Sequence, residues 1–169
     1  MLLAQQKHRT LEGARLTEWF LMRSVLNRPD RDLLTERLRR LAPEAPANWG
    51  RMSASQMVAH LSDQMRITLG DLAAAPSPGP LRLPILKHLV MYWMPWPKGR
   101  IKGPPEAFTS QPTTWQGDLA TLTALLDRFA TDNSRDSWPD HPTFGRLSRK
   151  SWGHFAYRHF DHHLRQFGV

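Results

Sequence analysis

SRKSWGHFAYRHFDHHLRQFG, residues 148–168, places four histidines in the ten residues from His154 to His163. Ser148 is a helix N-cap residue, its hydroxyl suited to accept an orphan N–H of the first turn. Behind it runs a stripe at helical spacing: Trp152, Phe155 or Ala156, His159, His162 or His163, and Gln166 or Phe167. The histidines therefore fall on a core-edge face of the helix. Residues four apart on a helix face the same way, with Cβ atoms about 5–6 Å apart. His159 and His163 could thus close on one metal ion, as the two histidines of the helical HExxH motif do. The intervening Glu of that motif is absent, so a base would come from elsewhere. His162, three residues after His159, is a rival partner. The alternative reading of the pair is a solvated or core-packed HxxxH with no ion.

Two histidines from one helix rarely make a site, since a catalytic zinc usually takes three protein ligands and leaves a fourth position open. The sequence SASQMVAHLSDQMRITLG, residues 53–70, supplies the third candidate. Ser53 followed by Gln56 is a capping-box pattern, and Met57, His60, Leu61, Gln64, Met65 and Thr68 mark the inward stripe of a helix expected to reach about Ala74. His60 sits in the middle of it; its other reading is a hydrogen-bonded histidine at the core edge. His8, His88 and His141 fall in an N-terminal arm, a crossover and a His-Pro turn. Asp63, the one weak catalytic candidate, lies one turn after His60, where it would either orient that imidazole as a supporting carboxylate or face solvent. Asp161 is expected to face outward.

Outward from these two helices the pattern stays helical. RPDRDLLTERLRRL, residues 28–41, puts Leu33, Leu34, Leu38 and Leu41 on one side, with Asp30 and Asp32 in the first turn and Pro43 and Pro46 beyond the end. Nine of the fourteen prolines lie between Pro76 and Pro112. That stretch is too broken for a long helix, although residues 85–94 fit a short one. Loops of this length are usually functional or disordered, and Tyr92, Trp93, Trp96 and Ile101 favour a segment packed over the rest. Thr113 with Gln116 repeats the capping-box spacing before a third helix carrying Leu119, Leu122, Leu125, Leu126 and Phe129. A turn-rich stretch over 131–147 leads to the last helix. No strand pattern and no internal repeat competes. The expected fold is all-α: a four-helix bundle with a long Pro-rich crossover between helices 2 and 3. Residues 1–28 read as a loosely attached arm and residues 29–169 as the bundle domain.

At 169 residues, one domain with a real core is expected. The absence of cysteine excludes disulfides, thiolate ligands and a cysteine nucleophile. A net charge of +8 and a pI near 10.8 invite a nucleic-acid reading, but the cations are scattered along the chain rather than clustered, so nucleic acid is not the expected partner. Lys98, Arg100 and Lys102 among the crossover tryptophans would guide an anionic substrate or form a solvated basic loop. No apolar run approaches the roughly 20 residues of a membrane span, and residues 1–10 do not read as a secretory signal. The expected location is cytoplasmic. The apolar crossover residues Leu89, Val90, Trp93 and Trp96 hint at a homodimer patch.

Several of these stretches together resemble a known family. SASQMVAHL in the second helix, HPTFG at 141–145, LSRKSWG at 147–153 and the closing HxxxHxxQ are similar to the DinB/YfiT-like superfamily of metal-dependent enzymes, in an uncharacterised branch. PKGRIKGPPEAFTSQPTTW, residues 97–115, also looks typical of it, and the likeness runs from about Met22 to Val169. The resemblance implies an all-α four-helix bundle, often dimeric, with a three-histidine metal site. Carried over by position, the ligands are His60, His159 and His163, with His163 preferred to His162 on the family spacing and Gln166 as a trailing residue without a ligand role. It further implies zinc or nickel, and either hydrolysis or transfer of a low-molecular-weight thiol to a small electrophilic substrate. With no cysteine in the chain, that thiol would arrive as a cosubstrate. The competing expectation is a non-enzymatic bundle or binding scaffold whose histidines are degenerate or structural.

Overall fold

The computed structural model describes residues 22–99 and 103–169, and among them every regular element is helical. Helix α1, Arg28–Arg40, carries a proline in its first turn, where a missing N–H costs nothing. Its last turn holds Arg37, Arg39 and Arg40 against the negative end of the dipole. Leu34, Leu38 and Leu41 are buried as the spacing predicts, whereas Leu33 is exposed.

Helix α2, Ala54–Leu69, opens on the expected capping box. Gln56 N–H donates to the Ser53 hydroxyl at 3.2 Å, and Ser53 N–H donates to the Gln56 side chain at 2.9 Å. The helix ends before the expected Ala74. Gly70 takes φ +78°, and the Gly70 and Asp71 N–H groups turn back onto Ile67 and Arg66. Glycine adopts this left-handed conformation without a Cβ clash, which stops the helix there.

The crossover is built of short helical pieces. A 3-10 turn, Pro80–Arg82, precedes α3, Pro84–His88, which runs into a π-helical turn, Leu89–Trp93; a second 3-10 turn spans Pro105–Phe108. The short helix expected over 85–94 is therefore present, with its second half wound as π-helix. Arg158 fastens it down, donating to the carbonyls of Val90, Met91 and Met94 and lying 5.2 Å over the Trp96 ring. Leu83, Ile85, Leu89, Trp93 and Met94 remain exposed, whereas Val90 and Trp96 pack against the core.

Helix α4, Trp115–Thr131, buries Leu122, Leu126 and Phe129. The capping box expected from Thr113 and Gln116 does not form, because the N-cap is Thr114 and makes no side-chain bond. Thr113 instead gives both its N–H and its hydroxyl to Asp118, at 2.8 and 2.7 Å. A carboxylate is a stronger acceptor than a neutral amide, and it also gains from the first-turn dipole. Helix α5, Arg149–Gln166, is capped by Ser148 as expected.

α2 packs on both α4 and α5, and α1 packs on α5. α2 and α5 lie innermost, so their polar residues are enclosed along with the apolar ones: Asp63, Gln64, Thr68, His159 and His163 are all buried. Residues 23–27, expected to belong to a loose arm, are packed instead. Val25 is fully buried and donates its N–H to the Gly153 carbonyl, and His154 Nδ1 bonds the Arg23 carbonyl at 2.8 Å. Glycine at 153 makes this approach possible, since a Cβ there would stand 2.5 Å from Ser24 Oγ and 2.9 Å from Leu26 Cγ. Of the rest of the expected arm, Met22 is exposed and Arg28 begins α1, while residues 1–21, His8 among them, lie outside the described residues. No helix among the described residues is long and apolar enough to cross a membrane.

Candidate metal centre

α2 delivers His60, and α5 delivers His159 and His163, to one point. His159 Nε2 stands 3.1 Å from both His60 Nε2 and His163 Nε2, and one ligand atom from each of the three lies within 4.8 Å of the others. Two nitrogens each 2.0–2.1 Å from a tetrahedral zinc would be about 3.3–3.4 Å apart. The observed spacing is close to what a shared ion needs.

Proton positions follow from what the opposite ring edges touch. His60 Nδ1 faces the Ala107 carbonyl at 2.7 Å; a carbonyl only accepts, so Nδ1 carries the proton and Nε2 presents its lone pair. His163 is fixed by a longer chain. Gln166 Nε2 donates to the Trp49 carbonyl at 2.6 Å, which leaves Gln166 Oε1 to accept from His163 Nδ1 at 2.8 Å. His163 Nε2 is therefore also an unprotonated donor to any ion. His159 Nδ1 is buried with no partner among the described residues. The two lone pairs face a third imidazole nitrogen that carries at most one proton to share between them, whereas a divalent cation at that point would engage all three nitrogens. Partners on the far ring edge that fix tautomer and orientation are the usual support of histidine ligands.

The rings are held neutral. Burial pushes His163 down to about 3, with His60 adding to the shift and Gln166 opposing it. Burial also takes His159 well below its ordinary value, reinforced by His163 and His60. His60 is lowered by burial as well, against the opposing pull of the Ala107 carbonyl. Neutral imidazole is the form a metal binds.

Asp63 does not touch His60. It is buried, and its two oxygens take the N–H and hydroxyl of Thr109, the N–H and hydroxyl of Ser110, and an Arg66 guanidinium N–H. Burial alone would raise its pKa, but the Ser110, Arg66 and Thr109 bonds hold it below the ordinary range. It pins the turn whose Ala107 carbonyl orients His60 and whose Phe108 ring stacks on His60 at 4.4 Å, so it positions His60 through the backbone. Asp161 does not face freely outward, because it accepts from Arg37 of α1 at 2.8 Å and from Arg165 at 3.0 Å. His162 is half-buried beside Trp49 and stays outside the convergent group. Of the basic crossover residues, Lys98 lies 4.6 Å over the Trp49 ring; Arg100 and Lys102 lie outside the described residues.

The three histidines open on a cavity of about 600 Å³, also lined by Met52, Val90, Trp96, Phe108, Phe144 and Phe155. Nothing in the residue pattern points to the Ala107 carbonyl, a backbone group, or to Trp49, whose carbonyl anchors Gln166. His141, set aside above as part of a turn, lines the same cavity.

A protein-family model described as "Protein of unknown function (DUF1569)" matches residues 22–168. No curated protein and no solved structure matches the chain.

Proposed function

We propose that this chain, which belongs to the DUF1569 family, is a four-helix-bundle metalloenzyme that holds a zinc or nickel ion on His60, His159 and His163 and acts on a small electrophilic substrate in the adjoining cavity. The observation that carries this reading is the convergence of the three Nε2 atoms, with His60 and His163 locked by Ala107 and Gln166 in the tautomer that offers a lone pair. An ion so held would supply Lewis acidity toward a water or a thiol in its open position. Hydrolysis and transfer of a low-molecular-weight thiol are the two chemistries such a site serves, and with no cysteine in the chain the thiol enters as cosubstrate. The residues provide the rest. His60, His159 and His163 bind, while Ala107, Gln166 and Trp49 orient them. The aromatic wall of Trp96, Phe108, Phe144 and Phe155 keeps bulk water from the substrate side. The resemblance to the DinB/YfiT-like superfamily supports the same reading.

The competing scaffold reading predicts a centre plugged by a side chain; the cavity beside the histidines favours the enzyme. The test is metal content by elemental analysis of the full chain and of His159→Ala. The expected result is about one ion per chain in the parent and a small fraction of that in the variant. Equal stoichiometry in the two would overturn the proposal.

A further inference from the structure

His141 is buried, and its ring is committed on one edge only. Nδ1 accepts the N–H of Thr143 at 3.0 Å and of Phe144 at 3.2 Å. Two backbone donors require a lone pair there, so the imidazole proton sits on Nε2. That Nε2–H is buried and has no hydrogen-bond partner among the described residues. Native structures rarely leave such a donor unpaired without a reason.

The ring is part of the wall of the histidine-lined cavity. It packs at 4.5 Å against Phe155, which in turn lies 5.5 Å from His159. Gln64, whose side-chain Nε2 is likewise buried without a partner among the described residues, lines the same cavity from α2. Among the described residues no Asp or Glu lines it, Arg51 does, and most of the remaining wall is apolar.

We propose that His141 is a substrate-binding residue: its Nε2–H, with the Gln64 amide as second donor, binds an oxygen atom of a small and otherwise apolar molecule at the three-histidine centre. The site would thus select carbonyl, carboxylate or related oxygen acceptors carried on an apolar body. This rests on the metal-site reading above for its role in catalysis, but not for the binding itself, since the donors and the cavity belong to the chain.

Benzoate, an oxygen acceptor on an apolar ring, is the probe. Asn in place of His141 keeps an oxygen near the position of Nδ1 to accept the Thr143 and Phe144 N–H groups, as Asn does in turns, and has no atom reaching the position of Nε2. Gln reaches that position with an amide N–H but gives up the turn bonds. In calorimetric titrations of the zinc-treated full-length chain, His141→Asn is expected to bind benzoate about 10- to 100-fold more weakly than the parent, the range for a hydrogen bond to a charged group. His141→Gln is expected to recover most of that loss despite a lower melting temperature. In the parent, benzoate is expected to move the His141 Nε2 proton resonance downfield, a change that a purely turn-capping histidine would not show. Equal benzoate affinity in the parent and His141→Asn overturns the proposal, and so does the absence of any benzoate binding to the parent. Zinc content is read on the same samples. Zinc missing from the parent sinks the metal reading alone, and the titration of that protein still decides the role of His141.

Discussion

His163 and Gln166, one turn apart on α5, share a 2.8 Å hydrogen bond whose direction is set from outside the pair by the Trp49 carbonyl. Because that carbonyl can only accept, the Gln166 amide cannot turn over, and its oxygen faces His163. The segment before α2 thereby fixes which nitrogen of a histidine on α5 is free to bind. In the same way Ala107, in the turn before α4, fixes His60 on α2. Each of these two histidines takes its tautomer from an element other than its own.

Gln166→Leu follows directly. It removes the acceptor for His163 Nδ1–H and frees the imidazole to take either tautomer. Losing such a supporting partner typically costs about 10- to 100-fold in metal affinity. A zinc competition titration against a chelator should show that loss with one ion still bound at saturation. Undiminished affinity would mean that Gln166 plays no part in holding His163.

Gly50 extends the same argument one residue further. It adopts φ +82°, and a Cβ there would stand 2.6 Å from Gln166 Nε2. Gly50→Ala should therefore strain the backbone by about 1–3 kcal/mol and push Gln166 off the Trp49 carbonyl. Zinc affinity should fall although position 50 donates nothing to the ion. The informative comparison is the double variant with Gln166→Leu. If the mechanism is right the two effects on affinity are less than additive, whereas full additivity would show that they act by separate routes.

Asp63 is held by bonds from Thr109, Ser110 and Arg66, and Asp63→Ala removes the buried carboxylate that accepts the part-buried N–H groups of Thr109 and Ser110. A hydrogen bond to a charged group contributes about 1.5–3 kcal/mol, so urea unfolding should show a loss of about that size. The His60–Ala107 bond should loosen with the turn, so zinc affinity should fall together with stability. Loss of activity with metal affinity and stability both unchanged would instead make Asp63 a direct participant in the chemistry.

The convergence of the three histidines was legible because His159 and His163 stand four residues apart on one helix face and His60 lies on an inward stripe; the spacing alone left a core-packed pair open as well, and the resemblance joined the three. The caps at Ser53 and Ser148 were readable for a similar reason: a hydroxyl and the N–H three residues on lie close enough for local sequence to decide. Thr113 failed the same test because Asp118, five residues away, offered a charged acceptor. Asp63 escapes the sequence reading because Arg66 is its one local partner, while Thr109 and Ser110 are 46 and 47 residues distant, on a turn that only tertiary packing brings to it. The packing of residues 23–27 depends on a gap left by Gly153, which no spacing rule reveals. His141 looked like turn chemistry, and half of it is: one nitrogen serves the turn, while the other belongs to the cavity that the rest of the chain encloses.

That division gives His141 a measurable signature in acid. Burial, aided by the positive charge of Arg82, lowers its pKa to about 3 in the folded chain, whereas an unfolded histidine titrates near 6.5. Below about 6.5 the unfolded chain takes up a proton that the folded chain refuses. The stability held at neutral pH is therefore lost as pH falls, until the folded imidazole itself protonates near 3. Between pH 7.5 and 5.5 one such group costs about 1.4 kcal/mol. His141→Asn lacks it but shares every other titrating group. Urea unfolding of the metal-free parent and of this variant at the two pH values should show the parent losing about 1.4 kcal/mol more than the variant. Equal losses would mean that the imidazole at 141 accepts a proton in the fold as readily as in the unfolded chain. A ring so easily protonated could not be the neutral, fixed donor assigned to the cavity wall.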